Sequence, residues 1–321
     1  GFKCLDKYIF ILLYMTIYIL KKLVEGKILA RPSKINKSPY LADVMIDNKS
    51  FMAHSPALGM SGMISPSADV YVEYCDNPKC VSQYRIRIVI VKNFLNKRKI
   101  YLGANPVLAN KLVMNTFLKK TFLNNKFLKN ISTNIDDWKP EVKILDSRID
   151  FRTHDGNKPV YIEVKNVPLA SYSIKETNNH EMLKFYGKKR KLFINMKDNI
   201  KYGVFPDGYS KPGTELVSER AYKHLLTLEK LSKKNRSILI FVLQRSDCKY
   251  FIPNYIRDNK YSKKLKELVE NKKIECYVLS YKLAKKNQDF YFKFNKLIPL
   301  ILDFNDDFRY ISLVNKKLNV T

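Results

Sequence analysis

The sequence predicts an α/β chain with a β-barrel: a small barrel in the N-terminal third, then a layer in which strands alternate with helices. Three observations carry this. Between Lys27 and about Asn105, five or six short strand-like segments follow one another with no helical pattern between them. From Pro106 apolar residues recur at three-to-four spacing, and beyond Glu141 strand and helix patterns alternate. At 321 residues the chain suits two domains, with roughly 150 residues for each core. The expected divisions are an extension over 1–22, a barrel over 23–105 and the α/β domain over 106–321.

Taken in order, Tyr8 to Leu20 is an almost wholly apolar run bracketed by Lys7, Lys21 and Lys22. It falls short of the roughly 20 residues that span a bilayer, and no small-residue cleavage site follows it. A packed extension is favoured over a signal segment or a membrane anchor. The barrel segments are KILARPSKI, YLADVMID, SFMAHS, ADVYVEYC, YRIRIVIVKNF and RKIYLGAN, with a Gly, Ser and Pro punctuated loop from Ser55 to Pro66. Pro106 suits the first turn of a helix reading PVLANKLVMNTFLKKTFL. Strands EVKIL, RIDFR and PVYIEVKNV follow, then a polar stretch from Ser171 to Lys211 that reads as an inserted or mobile surface segment. A helix from Ser218 to Lys233 leads into SILIFVLQ, apolar enough for a strand buried on both faces. A second helix near Ser262 to Asn271 precedes the strand IECYVLSY.

Lys and Arg number 59 against 30 Asp and Glu, a net charge of +29. Such an excess points to a polyanionic partner, nucleic acid first and an anionic membrane second. With 45% hydrophobic and 12% aromatic residues the chain belongs with folded proteins rather than disordered ones. The five cysteines, Cys4, Cys75, Cys80, Cys248 and Cys276, are scattered and form no CxxC, so neither a disulfide framework nor a zinc site is expected. Free thiols in a reducing intracellular compartment are the expectation.

The chemistry concentrates in RIDFRTHDGNKPVYIEVKN, residues 148–166. Val160, Ile162 and Val164 alternate with Tyr161, Glu163 and Lys165, so Glu163 and Lys165 leave one face of a strand whose other face is apolar. Asp155-Gly156-Asn157 supplies turn chemistry for a hairpin. In an unbulged hairpin Asp150 then lies on the face of Glu163, opposite or diagonal to it and within about 8 Å. Two carboxylates that close repel, and a hard cation such as Mg²⁺ (or Mn²⁺) relieves this by taking oxygens from both. Lys165 would orient the attacking water and stabilise charge developing on a phosphodiester. The competing reading is a solvated strand face whose charges pair harmlessly.

The words SRIDF, YIEVKNV, FPDG, the R-x-x-K-H-L of Arg220 to Leu225, and IFVLQR closely resemble the sugar fermentation stimulation protein A (SfsA) family. EGKILAR, YLADVMID, MAHSPALG and YLGANPVLANKLV extend the likeness over most of the chain, from about Leu23 to beyond Tyr281. The resemblance implies an N-terminal OB-like barrel followed by a PD-(D/E)XK nuclease-like α/β domain, with DNA binding and nuclease activity. Asp150, Glu163 and Lys165 match the family's motif, so the catalytic roles argued above carry over to them. Ala57 departs from the family's H-x-P-N-x-G barrel loop, Met114 and Asn115 stand where acids often follow its N-x-L-V, and Ser171 to Val217 is longer than its norm.

Glu141, on the strand before SRIDF, is a candidate third ligand beside Asp150 and Glu163; a solvated strand end is its other reading. Arg220, Lys223 and His224 share a helix face at i, i+3 and i+4. Together with Arg148 and Gln244, which ends a buried strand where α/β sheets place their sites, they are candidates for nucleic-acid contact or for the edge of the site. The expected activity is metal-dependent hydrolysis of DNA or RNA; the alternatives are a non-catalytic DNA-binding regulator and a membrane-associated scaffold.

Overall fold

In the computed structural model, the described residues are 16–56, 60, 63–92, 98–118, 135–174, 182–183, 192–193, 201–206, 216, 218–255, 258–302 and 309–312. Strand β1 (Thr16–Leu20) precedes the barrel strands β2 (Val24–Ala30), β3 (Leu41–Ile46), β4 (Lys49–His54), β5 (Asp69–Tyr74), β6 (Tyr84–Lys92) and β7 (Lys99–Gly103). These six form one sheet in the order β4-β3-β2-β5-β6-β7, and a parallel pairing of β4 with β6 curls it closed. Alternation supplies the inside: Ile28, Val44, Ala53, Val70, Val72, Ile86 and Leu102 are buried together. Closure needs bends. The ladder slips between Ile28 and Ala30 and between Tyr71 and Val72, and Gly26 stands where a Cβ would meet the Val44 side chain at 2.7 Å. Asp47 and Asn48 take positive φ in the two-residue turn joining β3 to β4, a conformation Asn and Asp tolerate well.

Helix α1 (Leu108–Leu118) opens the second part, followed by β8 (Lys139–Ile144), β9 (Ser147–Asp155) and β10 (Lys158–Asn166). Next come β11 (Ala170–Ile174), β12 (Met182–Leu183), β13 (Leu192–Phe193) and β14 (Lys201–Phe205), then helix α2 (Glu219–Ser232), β15 (Arg236–Leu243) and β16 (Tyr250–Pro253). Helix α3 (Asn259–Glu270), β17 (Glu275–Lys286), β18 (Asp289–Leu297) and β19 (Arg309–Ser312) complete the order. The main sheet runs β1-β18-β17-β15-β10-β9-β8, with β10, β15 and β17 parallel. Both of its faces are covered. Val160, Ile162, Ile238, Ile240 and Leu279 pack with Leu108, Leu112 and Val113 of α1, whereas Tyr161, Leu239 and Phe241 pack with Leu225 and Leu228 of α2 and Leu265 of α3. The apolar run of β15 follows from this double coverage. Ser218 caps α2 by accepting the Ala221 N–H at 3.3 Å, and Asp258 caps α3 by accepting that of Tyr261 at 3.0 Å.

Two expectations change and a third gains detail. Residues 16–20, the end of the apolar N-terminal run, form the edge strand β1, which pairs antiparallel with β18 and buries Ile17 and Leu20 in the main core; residues 1–15 lie outside the described set. Parts of the polar stretch after Ser171 are ordered strands: β11 and β14 pair in a second sheet, β16-β14-β11-β19, with Tyr202, Val204 and Ile252 buried. A disulfide joins Cys75 to Cys80 in the β5–β6 connection, where free thiols were expected; Cys248 and Cys276 are free. Among the described residues no helix is long and apolar enough to cross a membrane. Ala57 and most of residues 171–217 lie outside the described set.

Candidate active site

The β9–β10 hairpin holds the site. Its ladder runs from Asp155↔Lys158 to Phe151↔Ile162, with Gly156 at positive φ in the turn, so the expected register is the observed one up to that point. There the β9–β10 ladder ends. Phe151 joins the α1 side of the sheet and Ile149 the α2 side, although residues two apart in a regular strand share a face. Beyond Phe151 the strand β9 stays paired with β8 alone, and Asp150 reaches β10 through its side chain. Asp150 Oδ2 accepts the main-chain N–H of Val164 at 2.8 Å, standing in for a ladder carbonyl, and Oδ1 accepts from Asn110 Nδ2 on α1 at 2.8 Å.

Glu163 is 1% exposed, which removes the reading of a solvated strand face. Its Oε1 accepts from Lys165 Nζ and from His224 Nδ1 on α2. An ionised carboxylate only accepts, so Nδ1 carries the imidazole proton, and the 3.2 Å approach of Lys165 Nζ to Nδ1 is that of two donors converging on one oxygen. The other oxygen, Oε2, is buried and has no hydrogen-bond partner. Leaving a buried charged acceptor unpaired costs on the order of 1–3 kcal/mol or more.

The two acids are driven apart electrostatically. Burial, then the charge of Glu163, push the Asp150 carboxyl up, against the bonds from Val164 and Asn110 and the charge of Lys165. Burial pushes Glu163 up too, but the His224 bond and the Lys165 charge outweigh it and hold this carboxyl below its ordinary value. A buried acid and a half-buried one facing one ammonium make a site short of positive charge. An unpartnered Oε2 beside Asp150 fits a hard divalent cation, and Mg²⁺ sites commonly use only one or two carboxylates, completing the shell with water and phosphate.

Of the other candidates, His224 is brought into the cluster, as a partner of Glu163 rather than a free phosphate contact. Arg220 and Lys223 are exposed on the same helix. Glu141 is placed away from the acids: its carboxylate is exposed and pairs with Arg148 at 3.0 Å. Among the described residues no group of three His, Cys, Asp or Glu side chains gathers to hold a metal, so a three-carboxylate set including Glu141 is not formed. Gln244 is 3% exposed; its Nε2 donates to the Asn105 carbonyl and to Asn166 Oδ1, both at 2.8 Å. Asn110 was missed. Its signal was a polar residue in the first turns of an apolar helix, within the ANKLV word itself. Met114 and Asn115, further along α1, serve packing: Met114 lies against the main core and Asn115 Nδ2 donates to the Ile17 carbonyl at 3.0 Å.

Comparison with known proteins agrees with this architecture. Residues 108–177 and 185–287, more than half the chain and beginning at α1, match the family model described as the sugar fermentation stimulation protein RE domain. The sugar fermentation stimulation protein homolog of Synechocystis is 26% identical over 236 residues, covering 72% of this chain and 79% of its own length. That of Bartonella henselae is 27% identical over 271 residues, covering 81% of this chain and 92% of its own. The structure of Pyrococcus furiosus SfsA in complex with Ca²⁺ superposes with a TM-score of 0.62 at 15% identity, covering 89% of this chain and 99% of that one, a likeness of fold. The chain belongs to the sugar fermentation stimulation protein (SfsA) family.

Proposed function

We propose that the chain is a divalent-metal-dependent phosphodiesterase acting on DNA or RNA, with Asp150 and Glu163 as metal ligands and Lys165 as the cationic group beside the reacting phosphate. The observation that carries it is Glu163 Oε2, buried without a partner next to a second acid whose carboxyl is pushed up. Mg²⁺ or Mn²⁺ held there supplies charge to the phosphate oxygens and acidity to a water when bound. The chain's own residues do the remaining work. Asn110 and the Val164 N–H fix Asp150, His224 fixes Glu163, and Lys165 holds an ammonium where it can orient a nucleophilic water and stabilise developing negative charge. The net charge of +29, with Arg148, Arg220 and Lys223 exposed, supplies the attraction for a polyanion. The relative from Pyrococcus furiosus was solved with Ca²⁺, an oxygen-seeking cation of the same class.

The test is incubation of the purified chain with labelled DNA and RNA, with and without Mg²⁺ or Mn²⁺, beside Asp150→Ala. Metal-dependent cleavage by the parent, lost in Asp150→Ala together with Mn²⁺ binding while nucleic-acid affinity persists, is the expected result. EDTA-sensitive cleavage by Asp150→Ala at the parental rate would show that this hairpin is not the active site. Binding without cleavage by the parent would favour the regulator reading.

A further inference from the structure

Gln244 directly follows β15 and bonds, through its main chain and side chain together, to β7, to the link between β7 and α1, and to β10. Its main-chain carbonyl accepts the N–H of Gly103, the last residue of the barrel strand β7, at 3.0 Å. Its amide nitrogen donates to the carbonyl of Asn105, in the short link between β7 and α1, and to Oδ1 of Asn166, the last residue of β10 and the neighbour of Lys165. The Asn105 carbonyl can only accept, so the amide is oriented with its nitrogen toward that link, and both its protons are used. Its oxygen, Oε1, is buried with no partner. The fit is tight from the barrel side as well: a Cβ on Gly103 would stand 2.0 Å from Oε1 and 2.9 Å from the Gln244 Cβ.

Two lines of contact run from this amide to the acids. Through Asn105 it anchors the start of α1, and five residues later Asn110 donates to Asp150. Through Asn166 it anchors the end of β10, where Lys165 bonds to Glu163. We infer that Gln244 is a positioning residue: it sets α1 and the end of β10 against each other so that Asp150 and Lys165 face the same point, and it ties that geometry to the last strand of the barrel. Its importance for cleavage rests on the phosphodiesterase reading. The geometry does not.

Gln244→Glu keeps the shape but presents a carboxylate to two acceptors, and Gln244→Met keeps the bulk without donor or charge. Gly103→Ala pushes the same amide from the barrel side. In the metal-free full chain, the side-chain amide signal of Asn110, assigned by its disappearance in Asn110→Ala, should move toward the position of an unbonded amide in all three. Mn²⁺ affinity measured by calorimetry should fall about 10-fold or more, the usual loss when a group supporting a metal ligand is removed. In an Asn110→Ala background, Gln244→Met should cost Mn²⁺ affinity little more. A purely architectural glutamine predicts instead that the two losses add. An Asn110 signal unmoved in a folded Gln244→Met protein, or additive losses, overturns the proposal. A signal that moves as expected in a chain whose parent cleaves nothing supports the positioning role and counts against the phosphodiesterase reading alone.

Discussion

Glu163→Gln separates the service of this carboxylate to a metal from its service to the fold. In the metal-free protein two effects oppose each other. The substitution removes charge-assisted bonds to Lys165 and His224, worth about 1.5–3 kcal/mol each, although the Gln oxygen still accepts from one donor, so the loss is about 2–3 kcal/mol. It also abolishes the repulsion with Asp150, which for unit charges at a diagonal cross-strand spacing of about 8 Å and an effective dielectric near 20 amounts to at most about 2 kcal/mol. The balance is about 0–1 kcal/mol, a fall in Tm of at most about 2–4 °C for a protein of this size class. Metal makes the difference. If Glu163 is a metal ligand as proposed, Mn²⁺ at about 100 times its Kd should stabilise the parent by about 2.7 kcal/mol, or roughly 5–10 °C. The variant presents an amide NH₂ where Oε2 stood and should gain nothing. Melting curves by circular dichroism with and without Mn²⁺ read both numbers. A variant that gains as much from Mn²⁺ as the parent would show that the unpartnered Oε2 is not a ligand, and one that unfolds without metal would show that the compensation between repulsion and pairing is wrong.

Lys165→Ala should leave Mn²⁺ binding in place and lower turnover about 10²-fold or more, the usual loss for one transition-state donor; equal loss of metal binding and turnover would make Lys165 a structural partner of Glu163 only. Asp247 tests the frame rather than the site. Burial pushes its carboxyl up, but Arg245, at 2.7 and 2.8 Å, and Lys201, at 2.7 Å, outweigh this and hold it well below the ordinary aspartate range. Its stabilising contribution is therefore complete above the ordinary value near pH 4 and is lost as pH falls below it toward the depressed folded value. Asp247→Asn should cost about 3–5 kcal/mol in urea unfolding at pH 7, by stranding two buried cations, and the gap from the parent should narrow in acid. A gap independent of pH would refute the pairing.

Local pattern made the candidate-site hairpin legible: period-two alternation in YIEVK and turn residues at 155–157 specify which side chains stand together, and the burial of Glu163 then excludes a solvated face there. Other parts depend on partners that no local window contains. Thr16–Leu20 reads as an apolar extension because the strand that accepts it, β18, comes almost at the end of the chain. Lys201–Phe205 reads as polar surface because Lys201 counts as hydrophilic, yet it is buried once Asp247 neutralises it. Asn110 is one polar residue in an apolar helix pattern, and only the packing of α1 beside β9 and β10 brings it to Asp150. The end of the β9–β10 ladder short of Asp150 was likewise hidden, since nothing in SRIDF announces that its side chain will accept the Val164 N–H.

The antiparallel pairing of Thr16 with Lys293 also imposes an order on biosynthesis. Barrel strands meet partners close in sequence and can close while the rest of the chain is still inside the ribosome. β1 must wait for roughly 280 further residues, about a quarter of a minute to a minute at 5–20 residues per second. Throughout that interval Ile17 and Leu20 have no sheet to join. A strand made roughly 270 residues before its partner is thus placed only after that partner emerges, and the pairing ties two segments far apart in sequence.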